Sequence, residues 1–228
     1  MRRVEAEYTS AAITHHLGLW LIQLGVTPDL IRLSLRIVDD EIAHAELSHE
    51  TYVAAGGSQT PALVRERLGL TRSSTESLEA DVARVCVDVF CLGETVAVPL
   101  FKNIREGCSV PVARTALDRI LRDEVVHRGF GWTLLEWLLE SPFGASTRDV
   151  VARELPVSFA RIRASYASAG SRTLAEISDE DRAWGLMAPA RYRDITLRTF
   201  EKEWAPRFSK LDIDAKSAWE ASFAGAAH

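Results

Sequence analysis

The stretch RIVDDEIAH at residues 36–44 returns as RILRDEVVH at residues 119–127, and no other feature constrains the fold so much. Arg36, Ile37, Asp40, Glu41 and His44 recur in the same slots as Arg119, Ile120, Asp123, Glu124 and His127. Five matches in nine positions read as an internal duplication. Both copies lie in runs with helical apolar spacing, and no alternating strand pattern persists. The expectation is an all-α fold built from two related halves.

The periodicity predicts a first helix over about 4–24, closed by Gly25. A second opens with Thr27 as N-cap, Pro28 at the first helical position and Asp29 in the first turn. It runs to about Ala55, where Gly56 and Gly57 stop it. Residues 56–74 form a connection holding a short helical piece, PALVRERLGL. A third helix spans about 77–104 and contains Pro99, which is expected to kink it. A fourth spans about 112–140 and ends at SPFG. Further helices are expected over about 147–168, 179–186 and 189–210, whereas the last stretch, AKSAWEASFAGAAH, reads as frayed or disordered. Short loops make antiparallel neighbours within each pair. The connection of about 19 residues, at roughly 3.3 Å each, is long enough to run the length of a bundle. This is the pattern of a four-helix bundle with one long crossover over residues 1–144, with a helical extension, 145–228, packed on it. Five of the six tryptophans (Trp132, Trp137, Trp184, Trp204 and Trp219) lie on the fourth helix and in the extension, and are expected to bury the extension against the bundle or a dimer mate.

Composition narrows the partners. The net charge of −5 and pI of about 5.7 argue against a nucleic-acid surface, which would carry a basic stripe. The most apolar run, LGLWLIQLGV, is too short to span a bilayer, and the N-terminus has no apolar run of the signal-peptide kind. Cys86, Cys91 and Cys108 form no CxxC pair. A soluble cytoplasmic protein is the expectation, with no nucleic-acid or membrane partner.

Glu-x-x-His puts two ligand-type side chains on one helical face, one turn apart. The chain contains three: Glu41/His44, Glu46/His49 and Glu124/His127. Five residues along a helix turn the chain by roughly 500°, so Glu46/His49 points roughly 140° away from Glu41/His44. The shared Asp-Glu-x-x-His context selects Glu41/His44, leaving Glu46 and His49 on a solvated face. Each pair then needs a carboxylate from the helix before it. The third predicted helix supplies Glu94, the one acid between Asp88 and Glu106. A lone buried carboxylate there is costly unless paired, protonated or metal-bound. The first helix has no acid from Tyr8 to Pro28, so Glu5 or Glu7 must serve. Glu7 shares a face with Ala11, Thr14, Gly18 and Leu21, and is preferred. A simple reflection about the loop at Val26 would put the partner of Glu41 nearer Ala11, so a tilt or stagger of about one turn is required.

The resulting set is Glu7, Glu41, His44, Glu94, Glu124 and His127. Four carboxylates balance two divalent ions, and carboxylate with imidazole suits iron or manganese. The competing reading is two unrelated Glu/His pairs, which leaves Glu94 and the shared context unexplained. Metal-bound imidazoles usually donate their other N–H to a carboxylate or carbonyl. Twofold pseudosymmetry therefore predicts an exchange, Asp40 to His127 and Asp123 to His44. Arg36 and Arg119, five residues before each Glu, are expected to pair with those acids at the rim.

The segments EYTSAAI, DEIAHAEL, CLGETVA and DEVVH resemble the ferritin-like superfamily over about residues 4–140, and among its members a group of bacterial ferritin-like domain proteins in which WGLMAP…RTFEKEWAPRF also has a counterpart. The resemblance implies a di-iron carboxylate centre, with manganese or mixed occupancy as variants. Glu41 and Glu124 would bridge the metals, Glu7 and Glu94 would be terminal ligands, and His44 and His127 would each hold one metal. Departures narrow the choice. The four cysteines of rubrerythrin are missing, Phe101 stands where reductase small subunits carry a radical tyrosine, and Ile120 stands where N-oxygenases carry a third histidine. The extension of about 85 residues does not suit a ferritin cage. Small residues beside Glu94 leave room for a substrate pocket at Cys91, Ala97 and Phe101. The leading expectation is a non-haem di-iron or Mn/Fe oxidase or oxygenase that uses O₂ on a small organic substrate, with an external electron-donor protein. The alternative is a ferroxidase or iron-storage protein with Fe²⁺ as substrate. The apolar surplus of the extension favours a homodimer.

Overall fold

A computed structural model describes residues 1–167 and 177–224, which are helical with no strand among them. Helix α1 spans Arg2–Gln23 and α2 spans Pro28–Ala54. Between them Gly25 takes φ 70°, donating to Ile22 O, while Val26 donates to Leu21 O. This double bond satisfies the last carbonyls of α1 and reverses the chain in very few residues. Thr27 is the N-cap of α2 and Pro28 its first residue, as the sequence predicts, but the Thr27 side chain makes no capping bond.

The expected helical piece in the connection is a single 3-10 turn, Arg65–Arg67. Side chains of α1 hold the connection instead. Ala62 N donates to Glu5 Oε1 and Leu70 N donates to His16 Nδ1. Glu5 and His16 are about 16 Å apart along a helix, so the connection tracks α1 from its N-terminal to its C-terminal half. The next helix therefore starts at the end where α2 started.

That helical run is α3 (Leu78–Val85), a π-helical stretch (Cys86–Glu94) and α4 (Thr95–Gly107). The irregularity expected at Pro99 falls earlier, in the wide turns that end at Glu94, and Pro99 lies inside α4. Helix α5, Pro111–Glu140, returns. Helix α1 packs on α2, α2 on α5, and α5 on the π-helical stretch and α4, while α3 touches α1. Gly131 of α5 allows one of these contacts. A Cβ there would sit 2.4 Å from Phe90 Cβ and 3.0 Å from Cys91 N, so only glycine lets the two backbones approach.

The extension comprises α6 (Gly144–Ala167), α7 (Asp179–Ala183), α8 (Pro189–Thr199), a second π-helical stretch (Phe200–Trp204), α9 (Ala205–Lys210) and α10 (Ala215–Ala224). The expected end of the third-last helix at 168 and the last residues, 225–228, lie outside the described residues. Helix α6 packs on α10, α3, α8 and α5. Buried Phe159 gathers Phe200, Trp204, Phe208 and Trp219 around it at centroid distances of 5.7, 5.8, 6.4 and 5.1 Å. Trp132 of α5 meets Phe208 edge-on at 4.9 Å, which ties the extension to the rest of the core. The stretch from Ala215 is therefore not frayed over its described residues. A helix of 10 residues is too short to persist alone in water, and Trp219, stacked on Phe200 at 4.3 Å, supplies the tertiary reason for its order. No helix among the described residues is long and apolar enough to cross a membrane.

Candidate metal centre

Each Glu-x-x-His lies in the middle of a long helix that packs on the other, α2 on α5. Spacing by three residues sends Glu and His to one face. Glu41, His44, Glu124 and His127 are all buried, and the two imidazoles have no exposed surface. Helix α1 adds Glu7 and the end of the first π-helical stretch adds Glu94, both buried. Glu46 and His49, the third such pair, are exposed.

Two clusters result, and they share one residue. Glu7, Glu41 and His44 each bring a ligand atom within 4.8 Å of the others, and so do Glu41, Glu94 and His127. Either trio could hold a cation. Glu124, expected as a second bridging ligand, falls in neither trio. Its Oε2 is 3.9 Å from His127 Nδ1, and its carboxyl faces that of Glu94 closely enough to share a proton. Glu7, and not position 11, brings the carboxylate of α1 to Glu41.

The second layer crosses between the halves. His44 Nε2 lies 3.2 Å from Asp123 Oδ2, and His127 Nε2 lies 3.5 Å from Asp40 Oδ2. Donation from His44 Nε2–H to Asp123 leaves Nδ1 unprotonated and facing the cluster. The arginines depart from expectation. Arg119 donates to Asp123 and, at 3.1 Å, to Asp40, and Arg36 lies 3.5 Å from Asp40. They hold the aspartates at i+4, on the rim, because the glutamates one position further point inward. One guanidinium thus ties together Asp123, which hydrogen-bonds His44, and Asp40, which faces His127 without a hydrogen bond.

Ser10 joins the site unexpectedly. Its hydroxyl donates to Glu41 Oε1 at 2.8 Å across the α1–α2 interface. Its place one turn after Glu7 was the available signal.

Four acids in so small a buried space cannot all ionise easily. Burial, reinforced by Glu41, holds the Glu7 carboxyl well above the ordinary range. Burial also raises Glu94, and burial with Glu94 raises Glu124 well above it. Burial pushes Glu41 upward too, but His44, His127 and the Ser10 hydroxyl outweigh it and leave Glu41 below the ordinary range. His44 resists the lowering effect of burial, because Glu41 and Asp123 raise it above a free imidazole.

The fit to cations follows from atoms without partners. His44 Nδ1, His127 Nδ1, Glu41 Oε2 and Glu124 Oε2 are buried and make no hydrogen bond. His44 Nδ1 sits 3.6 Å from Glu41 Oε2, and His127 Nδ1 sits 3.5 Å from Glu41 Oε1. Buried polar groups without partners are uncommon and costly. Here they converge from separate helices, and two divalent cations would satisfy them while neutralising four carboxylates.

The expected pocket residues separate. Cys91 is fully buried and its thiol donates to Gly131 O at 3.5 Å, as a small core group does. Ala97 and Phe101 are half-buried further along α4, and the Arg3 guanidinium lies 5.5 Å over the Phe101 ring. No protein-family model, curated protein or solved structure matches this chain.

Proposed function

We propose that this chain is a ferritin-like four-helix bundle whose centre holds two iron ions, or manganese in one or both places, and that it is an oxidase or oxygenase acting on a small organic substrate. The observation that carries the reading is the convergence of unpartnered imidazole and carboxylate atoms on one buried, acid-rich space. Glu7, Glu41 and His44 would hold one ion and Glu41, Glu94 and His127 the other, with Glu124 beside the second. Bound ferrous ions would supply electrons to O₂, which side chains cannot do.

The protein's own contribution is orientation and exclusion. Asp123, held by Arg119, fixes the His44 ring and its tautomer, and Asp40 faces the ring of His127. Ser10 fixes Glu41. The raised acids Glu7, Glu94 and Glu124 release protons as cations enter, so uptake becomes more favourable with rising pH. The packed extension favours a discrete enzyme over a storage-cage subunit. Repeated turnover would draw on an electron-donor protein, and a cytoplasmic homodimer is the setting proposed.

Elemental analysis of untagged protein, with its mass in solution, tests this. About two Fe or Mn per chain in a monomer or dimer supports the reading, and O₂ consumption on adding reductant would follow. Many iron atoms per chain in a large shell would establish the storage alternative. Protein that takes up no Fe²⁺ under anaerobic conditions refutes both.

A further inference from the structure

Arg3 is the one half-buried arginine among the described residues that has neither a hydrogen bond nor an ion pair. Every other half-buried arginine there holds a carboxylate or a carbonyl oxygen. Arg3 instead lies over the Phe101 ring, 5.5 Å from its centroid. A cation drawn partly out of water and left unpaired is costly. Its position is next to the metal centre. The helical rise puts Arg3 about 6 Å before Glu7 on α1, and Phe101 roughly 10 Å beyond Glu94 on α4. Helices α1 and α4 run in opposite directions, so both steps lead to the same end of the bundle. Ala97, small and half-buried, stands between Glu94 and Phe101 on α4.

The extension reaches the same end. Tyr166 of α6 and Tyr192 of α8 are half-buried and stack at 6.2 Å with their planes 10° apart. Burial raises both phenols; the charges of Glu94 and Glu124 raise Tyr166 further, and the Arg3 charge opposes the rise of Tyr192. The same charge opposes the rise of Glu7. Tyr166 is thus on the side of the acids of the centre, and Tyr192 on the side of Arg3. An unpaired guanidinium and four apolar or aromatic side chains lead from the end of the bundle to the ligand set.

We infer that the substrate of the metal centre is an organic monocarboxylic acid, held by its carboxylate at Arg3 with its apolar body along Phe101, Ala97, Tyr166 and Tyr192. The inference rests on the oxidase or oxygenase reading above and names its substrate class. A guanidinium offers a carboxylate two parallel N–H donors. One unpaired positive charge balances one carboxylate, whereas a phosphate monoester brings nearly two negative charges. Anchoring the carboxylate at Arg3 turns the uncharged end of the molecule toward the centre.

The test uses full-length protein loaded with Mn²⁺, its metal content measured first. Straight-chain carboxylates from butanoate to decanoate, and 3-phenylpropanoate, are titrated by calorimetry beside the matching primary amides. Electron paramagnetic resonance of the bound Mn²⁺ reports whether the ligand reaches the centre. At least one acid should bind native protein and change the Mn²⁺ spectrum. Its amide should bind about ten- to a hundredfold more weakly, the range for losing hydrogen bonds to a charged group. Arg3→Gln should lose the same factor for the acid and bind acid and amide alike. Arg3→Lys, which keeps the charge without the fork, should fall between. Circular dichroism and metal content check that each variant is folded and loaded. Metal-loaded native protein that binds none of these acids, an acid bound equally by Arg3→Gln, or an acid that leaves the Mn²⁺ spectrum unchanged overturns the inference and leaves the metal centre standing. Native protein that binds no Mn²⁺ overturns the reading beneath it, and the inference with it.

Discussion

Replacing Glu94 with glutamine should have opposite effects on stability with and without metal. Ligand oxygens of Glu94 and Glu41 lie within 4.8 Å of each other. Two unit charges at that distance repel by about 3.5 kcal/mol at an effective dielectric constant of about 20. Glu94 avoids part of this by staying protonated, since burial raises its carboxyl above the ordinary range. Removing the charge should therefore stabilise the metal-free fold by roughly 1–2 kcal/mol. For a chain of 228 residues that is a rise in Tm of about 2–8 °C. The pH dependence follows from the same residue. An acid whose folded pKa is raised contributes stability that is fully present below its unfolded pKa of about 4.3 and is lost as pH rises through the folded value. Glu94→Gln should therefore flatten the fall in metal-free stability on the alkaline side of pH 4.3. With Mn²⁺ the sign reverses. Native protein should gain about 4 kcal/mol at a thousandfold excess over Kd, and the variant much less. Thermal melts followed by circular dichroism, in chelator and in excess Mn²⁺, read both effects. A variant that melts below native protein in chelator, yet gains as much from Mn²⁺, would show that Glu94 is a structural acid and that the charge argument is wrong.

Gly131→Ala should cost about 1–3 kcal/mol or more, because its Cβ would meet Phe90 and Cys91 at 2.4–3.0 Å, largely backbone that cannot yield; chemical denaturation measures the loss. Trp219→Ala should cost about 3–5 kcal/mol and expose α10 to proteolysis, which mass spectrometry of a limited digest would detect. Asp81 is buried and accepts from Arg72, Arg84 and Ser73 N, which outweigh burial and hold its carboxyl below the ordinary range. Its contribution is present above its unfolded pKa of about 3.9 and is lost as pH falls through the folded value. Asp81→Asn should therefore destabilise by about 1–3 kcal/mol at pH 7 and lose less on acidification, as seen in urea melts at several pH values.

What could be read along the chain was local. Gly25 closes α1 and Pro28 opens α2 because capping and proline geometry are decided within a few residues. Likewise the 3.6-residue period alone separates Glu41/His44 from Glu46/His49, since the two pairs face different sides of one helix. The identity of the polar residues on the inward faces pointed to cations for the same reason.

What depended on the stagger of helices far apart in sequence could not be read that way. Ser10 reaches Glu41 across 31 positions, and Arg119 reaches Asp40 across 79. The wide turns before Glu94 carry no proline, and Gly131 matters only because Phe90 comes against it. Helix α10, at 10 residues, is too short to hold alone, and it is ordered by an aromatic cluster assembled from α6, α9, α10 and the second π-helical stretch. Propensity and periodicity act over one or two turns. A hydrogen bond or ring stack between distant helices is decided by how deeply their side chains interlock, and that is a property of the assembled core.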